Sequence, residues 1–310
     1  MDIKQLRALL AVAETGSVTR AAQTLHIVQP AVSRQLKLLE EDIGTPMFER
    51  GRYGMALTEA GEILVDHARR ALQELDRARA EIHPDDAQIS GDVTIGLLPS
   101  AAGLLAGPLV SAVRDRYPAI RLRIAVGYAG HLQKWLDSGE VDAALLYNPK
   151  DTPATEIQVL LEETLCLIKP PSNEPDPAHS VNFTDLAGQP MIMTSAPHGI
   201  RSLLEQACRE ANITFDVVAE TNSMEVQKTL VAQGHGFTVL PAIAVMDDVA
   251  RGQLRTVELR HPRLLRRIVL ALPTSRRIPT AVRCTTALLV TEMKSAVMRA
   301  AWPSARWLGD

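Results

Sequence analysis

Residues 25–44 read LHIVQPAVSRQLKLLEEDIG, and the fold turns on whether Pro30 breaks a helix there or begins one. Proline is tolerated in the first turn of a helix, where its missing N–H would have no intrahelical partner. A helix is therefore predicted from about Pro30 to Ile43. Val32, Leu36 and Leu39 fall on one face of it and Ile43 continues that face, which makes a buried stripe. Ser33, Arg34 and Lys37 lie off the stripe, with Gln29 and Ala31 at the N-terminal end. Such a tip suits a DNA major groove: Gln pairs with adenine, Ala meets a thymine methyl, and Arg takes guanine or a phosphate. A solvated helix face is the plain alternative. Val28 stands where a helix start usually carries Ser, Thr, Asp or Asn, so a capping deficit is expected. That expectation fails if Val28 is buried or if Gln29 takes over the cap.

Working outward, Ile3, Leu6, Leu9, Leu10 and Ala13 recur at helical spacing and end at Gly16. Ser17 or Thr19 can cap a second helix, Arg20 to Leu25. After Gly44, the run PMFERGRYGMALT reads as a short two-stranded wing. From Thr58, an N-cap candidate, to about Pro84 the pattern is one long helix, with Glu59 and Glu62 at its positive end. Leu64, Ala68, Ala71, Leu75, Ala78 and Ile82 follow a heptad spacing between charged flanks. No N-terminal element looks large enough to bury that stripe, so it is predicted to be a dimer seam.

Past the polar linker HPDDAQISG (83–91), short apolar strands alternate with helical stretches, which predicts an α/β architecture with a largely parallel sheet. A second such series begins at TLCLIK, and the strand RRIVLALP (266–273) and a final helix from 279 to about 299 return to the first. The expected result is a clamshell with a ligand cleft between two lobes. The tail AAWPSARWLGD is expected to be mobile. The domains predicted are 1–57, a linker helix and hinge 58–90, and a ligand domain 91–300, followed by tail 301–310. Within the ligand domain the lobes are about 91–161 plus 267–300, and 162–266.

A chain of 310 residues, 46% apolar and 22% charged, is an ordinary multidomain globular protein. A net charge of −3 argues against indiscriminate coating of nucleic acid but leaves room for a small DNA-reading module. Cys166, Cys208 and Cys284 lie far apart without a CxxC, which disfavours disulfides and structural zinc. The N-terminus lacks the apolar core of a signal peptide, and no run is long and apolar enough for a membrane span. A cytoplasmic location is expected, with no metal, no cofactor and no membrane partner. Catalysis is disfavoured: the eight histidines are scattered, and HExxH, GxSxG and a phosphate loop are all missing.

The run from Ala21 to Gly61 resembles the winged helix-turn-helix of LysR-type transcriptional regulators. The matching positions are Ala21, Ala22, Leu25, Gln29, Pro30, Ala31, Ser33, Leu36, Leu39, Glu40, Gly44, Leu57, Thr58, Ala60 and Gly61, with Phe48, Glu49 and Arg50 at the wing entry. Met47 replaces the family's usual Leu, and Val28 its usual Ser or Thr. GDVTIGLLPS, VGYAGHLQKWLDSGEVDAALLY and VAQGHGFTVLP resemble effector-domain segments of the same family, and GYAGHL and LYNP its nitrogen-assimilation-control branch. The resemblance implies an α/β protein with an N-terminal winged helix-turn-helix, a long dimerising linker helix and a two-lobed effector domain like a periplasmic binding protein. It implies a homodimer or homotetramer on double-stranded promoter DNA, with RNA polymerase as a further expected partner. Gln29, Pro30, Ala31, Ser33, Arg34 and Lys37 would then face DNA, with Arg50, Arg52 and Tyr53 beside them on the wing. In residues 1–57, Lys4, Arg7, Arg20, Arg34, Lys37, Arg50 and Arg52 oppose Asp2, Glu14, Glu40, Glu41, Asp42 and Glu49, seven against six. Placement rather than total charge must therefore give specificity.

The same resemblance puts a small, anionic effector in the cleft, at helix N-termini. Pro99, Ser100 and Ala101 are the candidates from the first lobe, with Tyr128 and His131 opposite. Thr194, Ser195 and His198 come from the second lobe, and Tyr147 and Asn148 lie near the hinge. Each has a structural alternative: the serines as caps, His198 as a turn residue, Tyr128 as core. No arginine or acidic cluster converges on this cleft in the sequence. A DNA-free two-lobed binding protein, and a regulator that does not respond to ligand, are the competing readings.

Overall fold

The computed structural model describes residues 1–51, 54–82, 89–147, 154–172, 180–196 and 198–309. The chain falls into two compact units: one is Met1–Asp86, and the other is the rest of the chain apart from the turn Ser138–Glu140.

In the first unit, α1 (Ile3–Thr15) starts at Asp2, whose Oδ1 accepts from Gln5 N at 2.9 Å while Gln5 Oε1 accepts from Asp2 N at 2.8 Å. This reciprocal capping satisfies two of the helix's orphan donors. Gly16 ends the helix with φ 62°, a left-handed conformation that costs glycine little. Ser17 caps α2, which spans Val18–Thr24, two residues earlier than the sequence suggested. The third helix, α3, runs Gln29–Ile43, with Pro30 in its first turn. The wing follows as β1 (Phe48–Gly51) antiparallel to β2 (Gly54–Leu57). Thr58 Oγ1 then accepts from Gly61 N at 3.0 Å at the head of α4 (Glu59–Ile82). A Cβ on Gly61 would meet the Met47 carbonyl oxygen at 2.1 Å, so a side chain there would push the wing off the helix.

Leu9, Val12, Val32, Leu36, Leu39, Met47 and Phe48 are buried together in this unit. Each buried residue of this kind stabilises by roughly 1.5–3 kcal/mol. Val65 and Ala68 join that core, and Leu64 and Leu72 pack against it. The prediction that nothing N-terminal could cover the α4 stripe therefore needs correcting at Leu64 and Ala68. Ala71, Leu75 and Ala78 remain exposed, and the side chain of Ile82 lies outside the described residues.

In the second unit, β3 (Gly91–Leu97), α5 (Pro99–Arg116), β4 (Ile120–Val126), α6 (Ala129–Ser138) and β5 (Ala143–Tyr147) come first. Asp142 sits one residue ahead of β5, where its Oδ2 accepts from Thr94 N at 2.8 Å. Next come β6 (Thr155–Lys169), β7 (Ser180–Asn182), β8 (Pro190–Thr194), α7 (Gly199–Ala211), β9 (Asp216–Thr221), α8 (Met224–Ala232) and β10 (Thr238–Pro241). The chain closes with α9 (Met246–Ala250), β11 (Arg255–Arg260), β12 (Leu265–Pro273), α10 (Thr280–Met298) and β13 (Ala305–Trp307).

Two separate cores mark two lobes. One gathers Ile95, Leu97, Leu105, Leu132, Leu145, Leu270, Leu289 and Trp302, the other Leu167, Phe183, Met191, Ile192, Leu204, Val239 and Leu259. The strand order is β4-β3-β5-β12-β6-β11-β7, with β10 and β13 also on β6. β3 is parallel to β4 and β5, and β8 is parallel to β9. The expectation of a largely parallel sheet fails at β12, which is antiparallel to both β5 and β6. The reason is topological: β6 carries the chain out of the first lobe and β12 brings it back, so the two crossing strands must oppose. The tail is not mobile as expected. Trp302 is 2% exposed, β13 pairs with β6 at Leu161–Glu163, and Leu308 N and Gly309 N donate to Leu160 O.

Candidate functional site

The tip of α3 is exposed at Gln29, Pro30, Arg34 and Lys37 and half-buried at Ala31 and Ser33. Val28 occupies the N-cap position, makes no side-chain cap and is 70% exposed. It is therefore not part of the core. Gln29 does not replace the missing cap, because its Nε2 donates to Ser33 Oγ at 2.8 Å. Lys37 lies 3.6 Å from Glu41 one turn on, a solvated pair of small energetic weight. Arg52, Tyr53 and the side chain of Arg50 lie outside the described residues.

In the second unit a pocket opens between the two lobes. Six of the sequence candidates line it: Pro99, Ser100, Tyr128, Tyr147, Thr194 and His198. Three do not. Ala101 is fully buried in the first lobe's core, because the first turn of α5 points it inward. His131 is on the exposed side of α6, its ring 6.1 Å from Trp135. Ser195 spends its N–H on Thr221 O and stays outside the lining. Asn148 lies outside the described residues.

Sequence reading missed Leu98, Ile200, Met224, Gln227, Leu240, Pro241 and Arg266. Arg266 matters most among these. It is 3% exposed and shares strand parity with the buried Ile268 and Leu270, an inward-facing arginine that the alternation of β12 could have revealed. Its Nε meets Glu163 Oε1 at 2.5 Å, its Nη2 donates to Ser100 Oγ at 2.8 Å, and its guanidinium lies 5.4 Å from the Tyr147 ring centre. The other carboxylate oxygen of Glu163 accepts from Trp302 Nε1 at 2.9 Å. Both charges are thus buried, opposed and hydrogen-bonded, the condition under which a buried ion pair is tolerated.

Helices α5, α7 and α8 all begin at this pocket. From the first lobe, Tyr147 OH accepts from Ile200 N (3.1 Å) and Tyr128 OH accepts from Met224 N (3.0 Å), so two phenols meet helix starts of the second lobe. Gly199 makes the first contact feasible, since a Cβ there would lie 2.2 Å from the Tyr147 ring. Burial raises the pKa of both phenols, which keeps them protonated. His198 Nδ1 also accepts from Ile200 N, at 3.2 Å, which leaves its proton on Nε2. Burial, and after it the neighbouring Arg266 charge, lowers the His198 pKa to about 4, so it is neutral at physiological pH. The pocket is therefore mostly apolar, neutral overall, and rich in O–H and N–H groups.

Known families match both units. Residues 3–62 match the bacterial regulatory helix-turn-helix protein model of the lysR family, and residues 86–294 match the LysR substrate binding domain. The chain belongs to the LysR family of transcriptional regulators. Its relatives in that family include the HTH-type transcriptional regulator BbuR of Bordetella bronchiseptica, 29% identical over 98% of this chain and 93% of that one. The nitrogen assimilation regulatory protein nac of Escherichia coli is 28% identical over 96% of this chain and 97% of its own. Full-length CbnR in complex with its target DNA shares the fold, with a TM-score of 0.70, 20% identity, and coverage of 96% of this chain and 100% of CbnR. This LysR-family chain is thus a DNA-binding transcriptional regulator with an N-terminal helix-turn-helix and a two-lobed substrate-binding domain. No helix among the described residues is long and apolar enough to cross a membrane.

Proposed function

We propose that this regulator binds promoter half-sites as a dimer or tetramer and is switched by a small effector held in the pocket between the lobes of its second unit. On this reading Gln29, Pro30, Ala31, Ser33, Arg34 and Lys37 face DNA, with the wing residues Arg50, Arg52 and Tyr53 beside them. The exposed Ala71, Leu75 and Ala78 on α4 supply the seam between protomers, and the DNA-bound form recruits RNA polymerase. It is read as a regulator and not an enzyme, in keeping with its family.

The effector reading is carried by one observation: three helix N-termini and a buried arginine meet in a single apolar pocket. Helix starts favour anionic and other acceptor-rich groups. Because Glu163 already offsets Arg266, the helix ends and hydroxyls supply most of the attraction for an anionic head. Gel retardation of the gene's own upstream region tests the DNA half, and the absence of any shifted band overturns it. Thermal shift of the full-length protein against a metabolite panel tests the effector half. A hit whose effect vanishes in Ser100→Val supports it, and a hit untouched by that change places the ligand elsewhere.

A further inference from the structure

The pocket's hydrogen-bonding capacity is lopsided. The oxygens of Ser100, Tyr128 and Tyr147 each accept one bond already, from Arg266 Nη2, Met224 N and Ile200 N. Each hydroxyl is thereby turned to donate, and His198 Nε2–H is a fourth donor. Gln227 stands against these four. It lines the pocket and is 2% exposed, and its Oε1 has no partner among the described residues.

The direction of that amide is fixed. Gln227 Nε2 donates to Ile192 O at 3.1 Å and to Thr238 Oγ1, whose own hydrogen goes to Ile192 O at 2.8 Å. Flipping the amide would set carbonyl oxygen against carbonyl oxygen, so Oε1 is held on the side away from the strands β8 and β10. A buried acceptor kept without a partner costs stability unless something else supplies the hydrogen.

We propose that Gln227 is a specificity-determining residue that selects an effector bearing a hydroxyl or amino donor beside its acceptor-rich head, the chemistry of a small hydroxy- or amino-carboxylate. This rests on the effector-pocket reading given above. The donor groups of Ser100, Tyr128, Tyr147 and His198 take the carboxylate end, and Gln227 Oε1 takes the ligand's O–H or N–H. A parent acid without that donor leaves Oε1 buried and unpaired, and a site built to hydrogen-bond a hydroxyl rejects the analogue that lacks it.

The test is isothermal titration of the full-length protein with matched probes. One set is benzoate with its three hydroxy and three amino isomers; the other is butyrate with its 2-, 3- and 4-hydroxy and amino derivatives. The expected result is a donor-bearing member that binds about tenfold or more tightly than its parent. In Gln227→Met that ratio falls to about one, whereas a merely structural role for Gln227 would weaken both members alike. The inference is overturned if parents and derivatives bind equally, if the preference survives Gln227→Met, or if no probe binds. These failures leave the pocket reading standing so long as a panel metabolite loses its effect in Ser100→Val. If that effect persists, the pocket reading itself falls.

Discussion

The tip of α3 and the pocket of the second unit, the two sites proposed above for recognition, both present polar groups, and they satisfy those groups in opposite ways. At the tip, Gln29, Arg34 and Lys37 are exposed, and water meets most of their needs. In the pocket, Arg266 and Gln227, together with Glu163 behind Arg266, are each at most 3% exposed, and the protein must meet those needs itself. A substitution at the tip should therefore show in binding and hardly in stability. One in the pocket should show in both, because the groups proposed to hold a ligand are also groups the fold has desolvated.

The buried ion pair is the strongest way to break that contrast. Glu163→Ala leaves the Arg266 charge buried and unopposed, and chemical denaturation should report a loss of about 3–5 kcal/mol. The double change Glu163→Leu with Arg266→Met should restore most of it. A neutral Glu163→Ala would mean that the pair is effectively solvated.

Next comes pH. The unfolded chain protonates His198 near 6.5, whereas in the fold burial holds its pKa at about 4. Stability is thus fully present above 6.5 and falls with decreasing pH toward 4, by up to roughly 3 kcal/mol at about 1.4 kcal/mol per pH unit. In His198→Phe that part of the pH dependence should disappear from urea-unfolding midpoints. An unchanged slope would show that His198 is solvated.

At the tip, Arg34→Ala should cost about 1–3 kcal/mol of operator affinity if Arg34 meets a base. Its melting curve should stay within about 0.5 kcal/mol of the parent. Undiminished retardation would remove Arg34 from the interface. The smallest effect is a gain: Val28→Ser supplies the missing cap and should raise the stability of the first unit by about 0.5–2 kcal/mol. A fall in melting temperature instead would mean that the exposed valine has a packing partner outside this chain.

The helix α3 was legible because its residues are contiguous. Proline in the first turn, three apolar residues at helical spacing and a polar tip all lie within fifteen residues, Gln29–Ile43. The pocket draws on segments from Leu98 to Arg266, and only those beside helix starts or glycines announced themselves. Arg266 hid in a strand that reads as apolar, and Gln227 hid in a helix where it shares the inward face with Val231. The tail was misread because terminal position suggests mobility, while its anchoring comes from distant partners: β6, which pairs with β13, and the Glu163 carboxylate, 139 residues before the Trp302 indole it accepts from. The α4 stripe was misassigned at Leu64 and Ala68 because spacing along a helix reveals a buried face without revealing what buries it.

That anchored tail also guards an edge. β13 covers β6 at Leu161–Glu163, continuing the side that β10 occupies at Leu165–Ile168. The family match stops at residue 294, so the covering strand lies wholly beyond it. A shortened protein ending there would expose unpaired backbone groups on the strand that joins the lobes, an open template for another chain. Such a form should self-associate, and one that extends through Gly309 should not.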